Sequence, residues 1–163
     1  MKTVTVGIIG AGFASKFHCR SFSRVAGINV RVKSIADVDA GKASAVATEF
    51  GLEEFHNDCT ALLDDPEIDV IDICTPPFLH PGMTMEALAA GKHVICEKPL
   101  TGYFGAPGDE TPIGDRVPKS VMYDKVLGDI RNLGKVVAES NRLFMYAENY
   151  VYSPNILKAA EII

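Results

Sequence analysis

The sequence contains few cysteines, and their spacing indicates neither a disulfide framework nor a paired-thiol motif. The four cysteines are Cys19, Cys59, Cys74 and Cys96, and they share no Cys-x-x-Cys spacing. Two of them, Cys74 and Cys96, lie inside apolar, strand-like runs. Thiols in such runs usually behave as small, buried apolar groups. Because disulfides are rare in reducing compartments, we expect a reduced, cytoplasmic protein.

Basic clusters and long apolar runs are also absent from the sequence. A net charge of -5 without a basic run argues against nucleic acid as a partner. The longest apolar stretches are only strand-sized, and the first strand begins too early to leave room for a signal peptide, so no membrane association is expected. With 163 residues, of which 47% are hydrophobic, the chain suits one domain with a substantial core.

A stretch near the N-terminus combines an apolar run, a glycine turn and the start of a helix. The run does not alternate, which is typical of a parallel strand covered on both faces. Gly10 can adopt angles forbidden to other residues, and Gly12 lets the main chain approach a pyrophosphate closely. The amides of Phe13 and Ala14, at the positive end of the helix, would face that anion. Ser15, where a third Gly or Ala is usual, is small enough to pack the helix on the strand. The pattern predicts a dinucleotide site, with a plain tight turn as the alternative.

The second strand is predicted over residues 29–36, and it ends at Asp37. A carboxylate there can accept both ribose hydroxyls of an adenosine and would repel a 2′-phosphate, so the sequence favours NAD over NADP. Lys42 lies close in sequence and can soften that preference. The alternative is that Asp37 caps the next helix. Asp39 fits the cap better, because the alanine-rich residues 40–50 follow it directly and end at a glycine.

Strands and helices alternate along the following chain, which predicts a doubly wound α/β fold. Further strands are expected over residues 54–57, 70–74 and 93–96, and helices over residues 13–25, 60–66 and 81–90. Three residues that end one of these strands, Thr75, Pro76 and Pro77, would line a cofactor cleft at the carboxyl edge of the sheet. No metal site is predicted, because the acidic residues between positions 64 and 69 lack a ligand pattern and indicate a solvated loop.

The tripeptide Glu97-Lys98-Pro99 follows the fifth strand and reaches the same edge of the sheet. A lysine in such a cleft can hydrogen-bond a substrate hydroxyl and help to carry its proton as hydride leaves. Pro99 would rigidify the turn. Glu97 would hold a cofactor ribose or pair with Lys98. The alternative from composition alone is a surface Glu-Lys pair.

The order of these motifs resembles the Gfo/Idh/MocA oxidoreductases. The resemblance rests on Gly10-x-Gly12, Asp37, Thr75-Pro76-Pro77-x-x-His80 and the block Gly91-Lys92-His93-Val94-Ile95-Cys96-Glu97-Lys98-Pro99-Leu100. It covers residues 4–100 almost without gaps. The Gly-Lys-His-Val block with Glu-Lys-Pro is far more specific than the glycine turn.

The resemblance implies a fold, a cofactor and a reaction. The fold is a doubly wound, mostly parallel Rossmann sheet with helices on both faces, followed by a second α/β domain that is largely absent from this chain. Lys98 would act with an Asp and a His of that second domain, while hydride passes between NAD and a hydroxyl-bearing carbon of a sugar or polyol. His80 matches a family histidine near the cofactor, with helix capping or packing as the alternative.

Other functions remain open at the level of the sequence. Some relatives on this fold are non-enzymatic, NAD-responsive regulators, and others use bound NAD transiently to cleave glycosidic bonds. An isolated fold that only associates with partners is a further alternative, which the family resemblance disfavours. When full length, such a protein is expected to form a homo-oligomer.

The sequence departs from the family pattern beyond Leu100. Residues 101–120 are predicted to be a loop insertion, either a lid or oligomer contact near the active site or a disordered surface loop. Residues 122–140 are predicted to be helical, broken or bent near Gly128 and Gly134, and residues 143–147 form the sixth strand.

The C-terminal residues predict a domain boundary. Residues 1–147 would form the NAD(P)-binding domain, and residues 148–163 the crossover into a truncated second domain. Asn149, at a strand end, would touch nicotinamide or substrate, with a turn role as the alternative. The final helix has no C-cap signal, so the chain is expected to be the N-terminal part of a longer protein.

Overall fold

A computed structural model describes residues 2–162 of the chain. Its centre is a six-stranded, fully parallel sheet in the order β3-β2-β1-β4-β5-β6. The strands are β1 (Thr3–Ile9), β2 (Asn29–Ala36), β3 (Glu54–His56), β4 (Val70–Ile73), β5 (His93–Glu97) and β6 (Phe144–Ala147). This order is that of the doubly wound dinucleotide-binding sheet, so the predicted fold class is confirmed.

Seven α-helices and two short 3₁₀ helices connect and follow the strands within the described residues. The α-helices are α1 (Phe13–Phe22), α2 (Ala40–Phe50), α3 (Thr60–Asp64), α4 (His80–Ala89), α5 (Ile113–Arg116), α6 (Lys119–Glu139) and α7 (Pro154–Ile162). The 3₁₀ helices span Pro77–Leu79 and Asn149–Tyr152. None of the helices between residues 2 and 162 is long and apolar enough to cross a membrane.

The sheet has a separate apolar core on each face. One core joins β1 and β2 to α1 and α2, with Val6, Ile8, Ile35 and Val46 almost fully buried. The other joins β4 and β5 to α3 and α4, and residues of α6 pack against it. Because both faces are covered, the central strands are continuous apolar runs rather than alternating ones, as the sequence pattern indicates.

Capping residues set the limits of α2 as predicted. The Asp39 side chain accepts the backbone N–H groups of Gly41 and Lys42 at 3.0 and 3.2 Å, so Asp39 is the N-cap. Gly51 ends the helix with a φ of 67°, which a residue with a side chain adopts only at a cost. Asp37 is therefore not needed as the cap of α2.

The chain after β5 differs in part from the sequence prediction. Residues 101–120 include the short helix α5 and the start of α6, so the segment is not entirely a loop. Of the predicted break or bend near Gly128 and Gly134, the break is wrong, because α6 is assigned as one continuous helix, and the bend stays a prediction. A glycine inside a helix costs about 1 kcal/mol relative to alanine, but it keeps its backbone hydrogen bonds, so two glycines weaken such a helix without interrupting it.

Candidate functional site

A large cleft lies at the carboxyl ends of β1, β2 and β4, where the strand order reverses. Its volume is about 1070 Å³, which suits an elongated ligand. Open α/β sheets bind ligands at this reversal point because the loops there diverge to the two faces. Six of the predicted cofactor-binding residues line the cleft: Gly10, Gly12, Phe13, Asp37, Thr75 and Pro76.

The two glycines of the turn after β1, Gly10 and Gly12, have different surroundings. Gly10 has a φ of 101°, and a Cβ there would stand 2.6 Å from the carbonyl oxygen of Cys74. The end of β1 therefore needs a glycine to lie against the end of β4. A Cβ on Gly12 would enter open space instead, which leaves room for a ligand to approach the main chain.

The N-terminus of α1 faces the cleft without a side-chain cap. Gly12 is the N-cap residue, and it has no side chain to accept the first amides of the helix. The first amides of a helix, here those of Phe13 and Ala14, have no intrahelical partner and suit a pyrophosphate. Ser15 is fully buried, and its hydroxyl donates to the Gly12 carbonyl across 2.8 Å. These features fit the phosphate groups of a dinucleotide.

Asp37 lies between the glycine turn and the start of α2. Its Oδ2 accepts the N–H of Ala11 at 2.7 Å, and its Oδ1 accepts the N–H of Asp39 at 2.9 Å. A carboxylate offers about four lone-pair sites, so Asp37 can still accept ribose hydroxyls. Lys42 also lines the cleft, and its ammonium lies 3.6 Å from the Asp39 carboxylate.

Sequence reasoning missed several residues of the cleft wall. They come from the ends of β2 and β3 and from the segment after β4: Val38, Asn57, Asp58, Cys59, Phe78 and Met83. The backbone N–H of Thr60 holds the pKa of Asp58 below its usual value. The sequence signal for these residues was only their position, because residues that follow a parallel strand lie at the carboxyl edge of the sheet.

The Glu97-Lys98-Pro99 turn lies next to the cleft rather than in its wall. Cys96 pairs with Ile73, so the turn stands beside the residues that end β4, and Lys98 is exposed. Of the two roles predicted for Glu97, the pair with the Lys98 side chain is corrected: Glu97 Oε2 accepts the backbone N–H of Lys98 at 2.9 Å. Contact between Glu97 and a cofactor ribose stays a prediction. The other oxygen of Glu97 contacts a histidine.

That histidine is His18 of α1, which also contacts Asp72 of β4. The ring nitrogens lie 2.8 Å from Asp72 Oδ2 and 3.0 Å from Glu97 Oε1. Sequence reasoning missed both His18 and Asp72. A signal was present, because an aspartate inside an apolar strand is buried only with a partner.

His80 supports the cleft from behind and does not line it. Its ring is fully buried, and its two nitrogens lie 2.8 Å from the carbonyl oxygens of Thr75 and Pro99. The ring thereby joins the segment after β4 to the segment after β5. This position agrees with the packing alternative, and direct cofactor contact by His80 stays a prediction.

Three further predicted residues lie outside the cleft wall. Ala14 is in the first turn of α1, Pro77 begins the 3₁₀ helix after β4, and Asn149 begins the 3₁₀ helix after β6. Asn149 is exposed. Their predicted contacts with a cofactor stay predictions.

The segment after Leu100 lies close to the cleft rim. Phe104 packs edge-on against Phe78, with ring centroids 6.1 Å apart, and Phe78 lines the cleft. The Asp109 carboxylate accepts the Tyr103 hydroxyl and the N–H of Ala106, which closes the loop on itself. This placement agrees with the predicted position of the insertion near the site.

The amino-acid sequence matches a known family. The sequence model of the oxidoreductase family with an NAD-binding Rossmann fold, GFO_IDH_MocA, matches residues 4–105. The chain belongs to the Gfo/Idh/MocA oxidoreductase family. The predicted cofactor, NAD, is confirmed at the level of the family.

Curated members of the Gfo/Idh/MocA family resemble the chain over different lengths. Levoglucosan dehydrogenase of Pseudarthrobacter phenanthrenivorans is 33% identical over 170 residues, which cover 100% of this chain and 37% of that protein. Inositol 2-dehydrogenase 1 of Saccharopolyspora erythraea is 39% identical over 100 residues, covering 60% of this chain and 29% of that protein. The chain thus spans well under half the length of these family members.

Solved structures of the family share its fold. A levoglucosan dehydrogenase in complex with NADH superposes with a TM-score of 0.78 at 29% identity, covering 99% of this chain and 40% of that one. An NAD binding oxidoreductase from Klebsiella pneumoniae superposes with a TM-score of 0.77 at 28% identity, covering 99% and 38%.

Proposed function

We propose that this chain is the cofactor-binding part of an NAD-dependent oxidoreductase that transfers hydride between nicotinamide and a hydroxyl-bearing carbon of a sugar or polyol. The observation that carries the proposal is the placement of the Glu97-Lys98-Pro99 turn beside the cleft that Gly12 and Asp37 line. The residue to which the proposal assigns the substrate proton would thus lie at the edge of the cofactor cleft. The names of the relatives, levoglucosan dehydrogenase and inositol 2-dehydrogenase, support a carbohydrate-like substrate.

Each part of the cleft would hold a different part of the cofactor. The amides at the start of α1 would bind the pyrophosphate, and Asp37 would bind the adenosine ribose. Thr75 and Pro76 would line the nicotinamide end. Bound NAD supplies the hydride acceptor.

Lys98 would handle the proton of the substrate hydroxyl. Lys98 is exposed, and its backbone N–H donates to the Glu97 carboxylate. A positioned amine that hydrogen-bonds the hydroxyl oxygen lowers the barrier to proton transfer as the carbon loses hydride. The partner Asp and His that the family resemblance implies, the substrate pocket and the oligomer contact would come from a second domain.

Calorimetry of the 163-residue chain tests the cofactor half of the proposal. Separate titrations with NAD and NADP are expected to show binding with a clear preference for NAD. A preference for NADP would contradict the role of Asp37, and no binding of either by a folded chain would move the proposal towards a structural role.

The chemical half is tested in a protein that joins this chain to a second domain. NADH formation is followed with levoglucosan and myo-inositol as probes, and Lys98→Gln is expected to lower kcat by about 100-fold or more. Lys125→Gln on the exposed face of α6 is the matched control. Bound NAD without net NADH production would favour the regulator or the glycosidase-type alternative.

A further inference from the structure

A carboxylate–imidazole–carboxylate chain connects the core of the sheet to the Lys98 turn. His18 Nδ1 lies 2.8 Å from Asp72 Oδ2, and His18 Nε2 lies 3.0 Å from Glu97 Oε1. Glu97 in turn accepts the backbone N–H of Lys98. This series of hydrogen-bonded side chains therefore begins in β4, passes through α1 and ends at Lys98, the residue with the proposed proton-transfer role.

The two ends of this chain differ sharply in their access to water. The Asp72 side chain is fully buried, whereas the Glu97 side chain keeps 13% of its exposure. A buried carboxylate without a donor is very costly, so Asp72 depends on the Nδ1–H of His18. The partly exposed Glu97 carboxylate can turn to solvent if His18 no longer donates a hydrogen bond to it.

We propose that His18 is a positioning residue for Lys98: its doubly protonated ring, anchored on Asp72, fixes the Glu97 carboxylate that holds the Lys98 backbone. The inference rests on the proposed function, because it assigns His18 a part in placing the proton-transfer residue. It also makes α1, whose N-terminus faces the pyrophosphate site, a common support for both ends of the cofactor cleft.

The protonation state of His18 follows from its contacts. Each ring nitrogen faces an oxygen of an acidic side chain, and an ionised carboxylate only accepts hydrogen bonds, so two ionised partners require a proton on both nitrogens. Burial raises the pKa of Asp72, while the hydrogen bond and charge of His18 oppose that rise. Burial lowers the pKa of His18, but the hydrogen bonds and charges of Asp72 and then Glu97 outweigh it, and the pKa is raised.

Other groups around His18 do not compete for its protons. The Cys74 thiol lies 3.6 Å from Nδ1, and Phe22 packs edge-on against the ring. Burial raises the pKa of Cys74 strongly and that of Cys19 to about 11, so both are neutral thiols. When His18 loses one proton, we expect Nδ1 to keep its proton, because Asp72 is buried and depends on that donor. The contact that is lost is then the one between Nε2 and Glu97.

A metal ion is the other chemistry that this cluster could suggest. Potential ligand atoms of His18, Asp72 and Cys74 lie within 4.8 Å of one another. The separation of 2.8 Å between Nδ1 and Oδ2 is that of a charge-assisted hydrogen bond. The hydrogen-bonded arrangement accounts for the contacts without a metal.

Nuclear magnetic resonance of the 163-residue chain tests the proposal without cofactor or substrate. In the wild-type chain at pH 7, both ring nitrogens of His18 are expected to be protonated. The amide signal of Lys98 should shift with pH at the same midpoint as the His18 ring. A Lys98 amide that ignores the His18 titration would overturn the proposal.

Two conservative variants separate the two contacts of His18. Gln places its amide near the position of Nε2, so His18→Gln can donate to Glu97, whereas Asn places its amide near Nδ1, so His18→Asn can donate only to Asp72. We expect His18→Gln to keep the Lys98 amide at its wild-type position, without the pH-dependent shift. We expect His18→Asn to move the amide to the wild-type high-pH position and to speed its hydrogen exchange about tenfold.

The outcomes distinguish this proposal from the proposed function. His56→Gln is the matched control, because His56 also pairs with a carboxylate, Glu54 at 3.3 Å, on the distant edge strand. Equal Lys98 signals in His18→Asn and the wild-type chain would overturn the positioning role, whether or not NAD binds. If the Lys98 amide shifts as expected but the chain does not bind NAD, the result would contradict the proposed function and leave the positioning role of His18 supported.

Discussion

The carboxylate of Asp37 accepts the backbone N–H of Ala11 across 2.7 Å, which ties the residue after β2 to the glycine turn after β1. The same side chain lines the cleft. Asp37 thus shapes the turn and lines the cleft at the same time, and its proposed ligand there is the adenosine ribose. A substitution there is expected to affect cofactor choice more than folding.

Asp37→Asn is expected to weaken NAD binding by roughly 10- to 100-fold, because hydrogen bonds to a charged group contribute about 1.5–3 kcal/mol. NADP binding is expected to weaken less or to improve, since the charge that repels a 2′-phosphate is removed. Calorimetry with both cofactors measures the two effects. Asp39→Asn is the matched control, because Asn caps a helix about as well as Asp. Equal losses for NAD and NADP would instead assign Asp37 a purely structural role.

Gly10→Ala is expected to destabilise the fold. The substitution requires a residue with a Cβ to adopt a φ of 101°, and it forces that Cβ to 2.6 Å from the Cys74 carbonyl oxygen. Strain of this kind costs at least about 2 kcal/mol. Urea unfolding of the variant and the wild-type chain gives the difference in free energy of unfolding, and an unchanged midpoint would contradict the turn geometry.

Gly12→Ala is expected to behave in the opposite way. Its Cβ would enter open space and its φ of -90° suits any residue, so stability should change by less than about 1 kcal/mol. The added methyl group would occupy the space where the pyrophosphate approaches, and NAD binding should weaken by about tenfold or more. Thermal unfolding and calorimetry on the same sample separate the two effects. Undiminished NAD binding would place the phosphates elsewhere.

The contribution of His18 to stability is expected to depend on pH. Because its pKa is raised in the folded chain, its stabilisation is fully present below the unfolded value of about 6.5 and is lost as pH rises through the folded pKa. The difference in free energy of unfolding between the wild-type chain and His18→Gln should therefore be larger at pH 6 than at pH 9. Urea titrations at both values test this, with His56→Gln as the control. A pH-independent difference would show that His18 is neutral in the folded chain.

His80→Phe is expected to destabilise the chain by about 2–4 kcal/mol. The ring is fully buried, and its removal leaves a carbonyl oxygen at Thr75 or Pro99 without its donor, at a cost of about 1–3 kcal/mol, to which the poorer fit of the larger phenyl ring adds. His56→Phe, at a partly exposed position, should change stability by less than about 0.5 kcal/mol. Similar unfolding midpoints for the two variants would contradict the bridging role of His80.

Much of the fold could be predicted because its signals are local. The apolar run before Gly10, the cap residues Asp39 and Gly51 and the limits of β2 depend on neighbouring residues only. The glycine turn likewise needs only a strand before it and a helix after it. The continuity of α6 was mispredicted because glycine is a weak local signal in a helix that packs against other elements.

The partners of individual side chains could not be predicted in the same way. Glu97 was expected to hold a cofactor ribose or to pair with Lys98, but one oxygen of its carboxylate contacts His18, which lies 79 positions earlier in the chain. Nothing near Glu97 in sequence identifies that partner. Asp72 indicates only that some donor must exist.

The sequence by itself determined the α/β alternation, the dinucleotide turn, Asp37 at the end of β2 and the motif that carries Lys98, because each depends on residues that are close along the chain. Only the tertiary structure decided that His18 connects Asp72 to Glu97, that His80 bridges two loops behind the cleft, and that Asn57 and Asp58 line it. The physical reason is that side-chain hydrogen bonds depend on distances between strands and helices, and the packing of the sheet sets those distances.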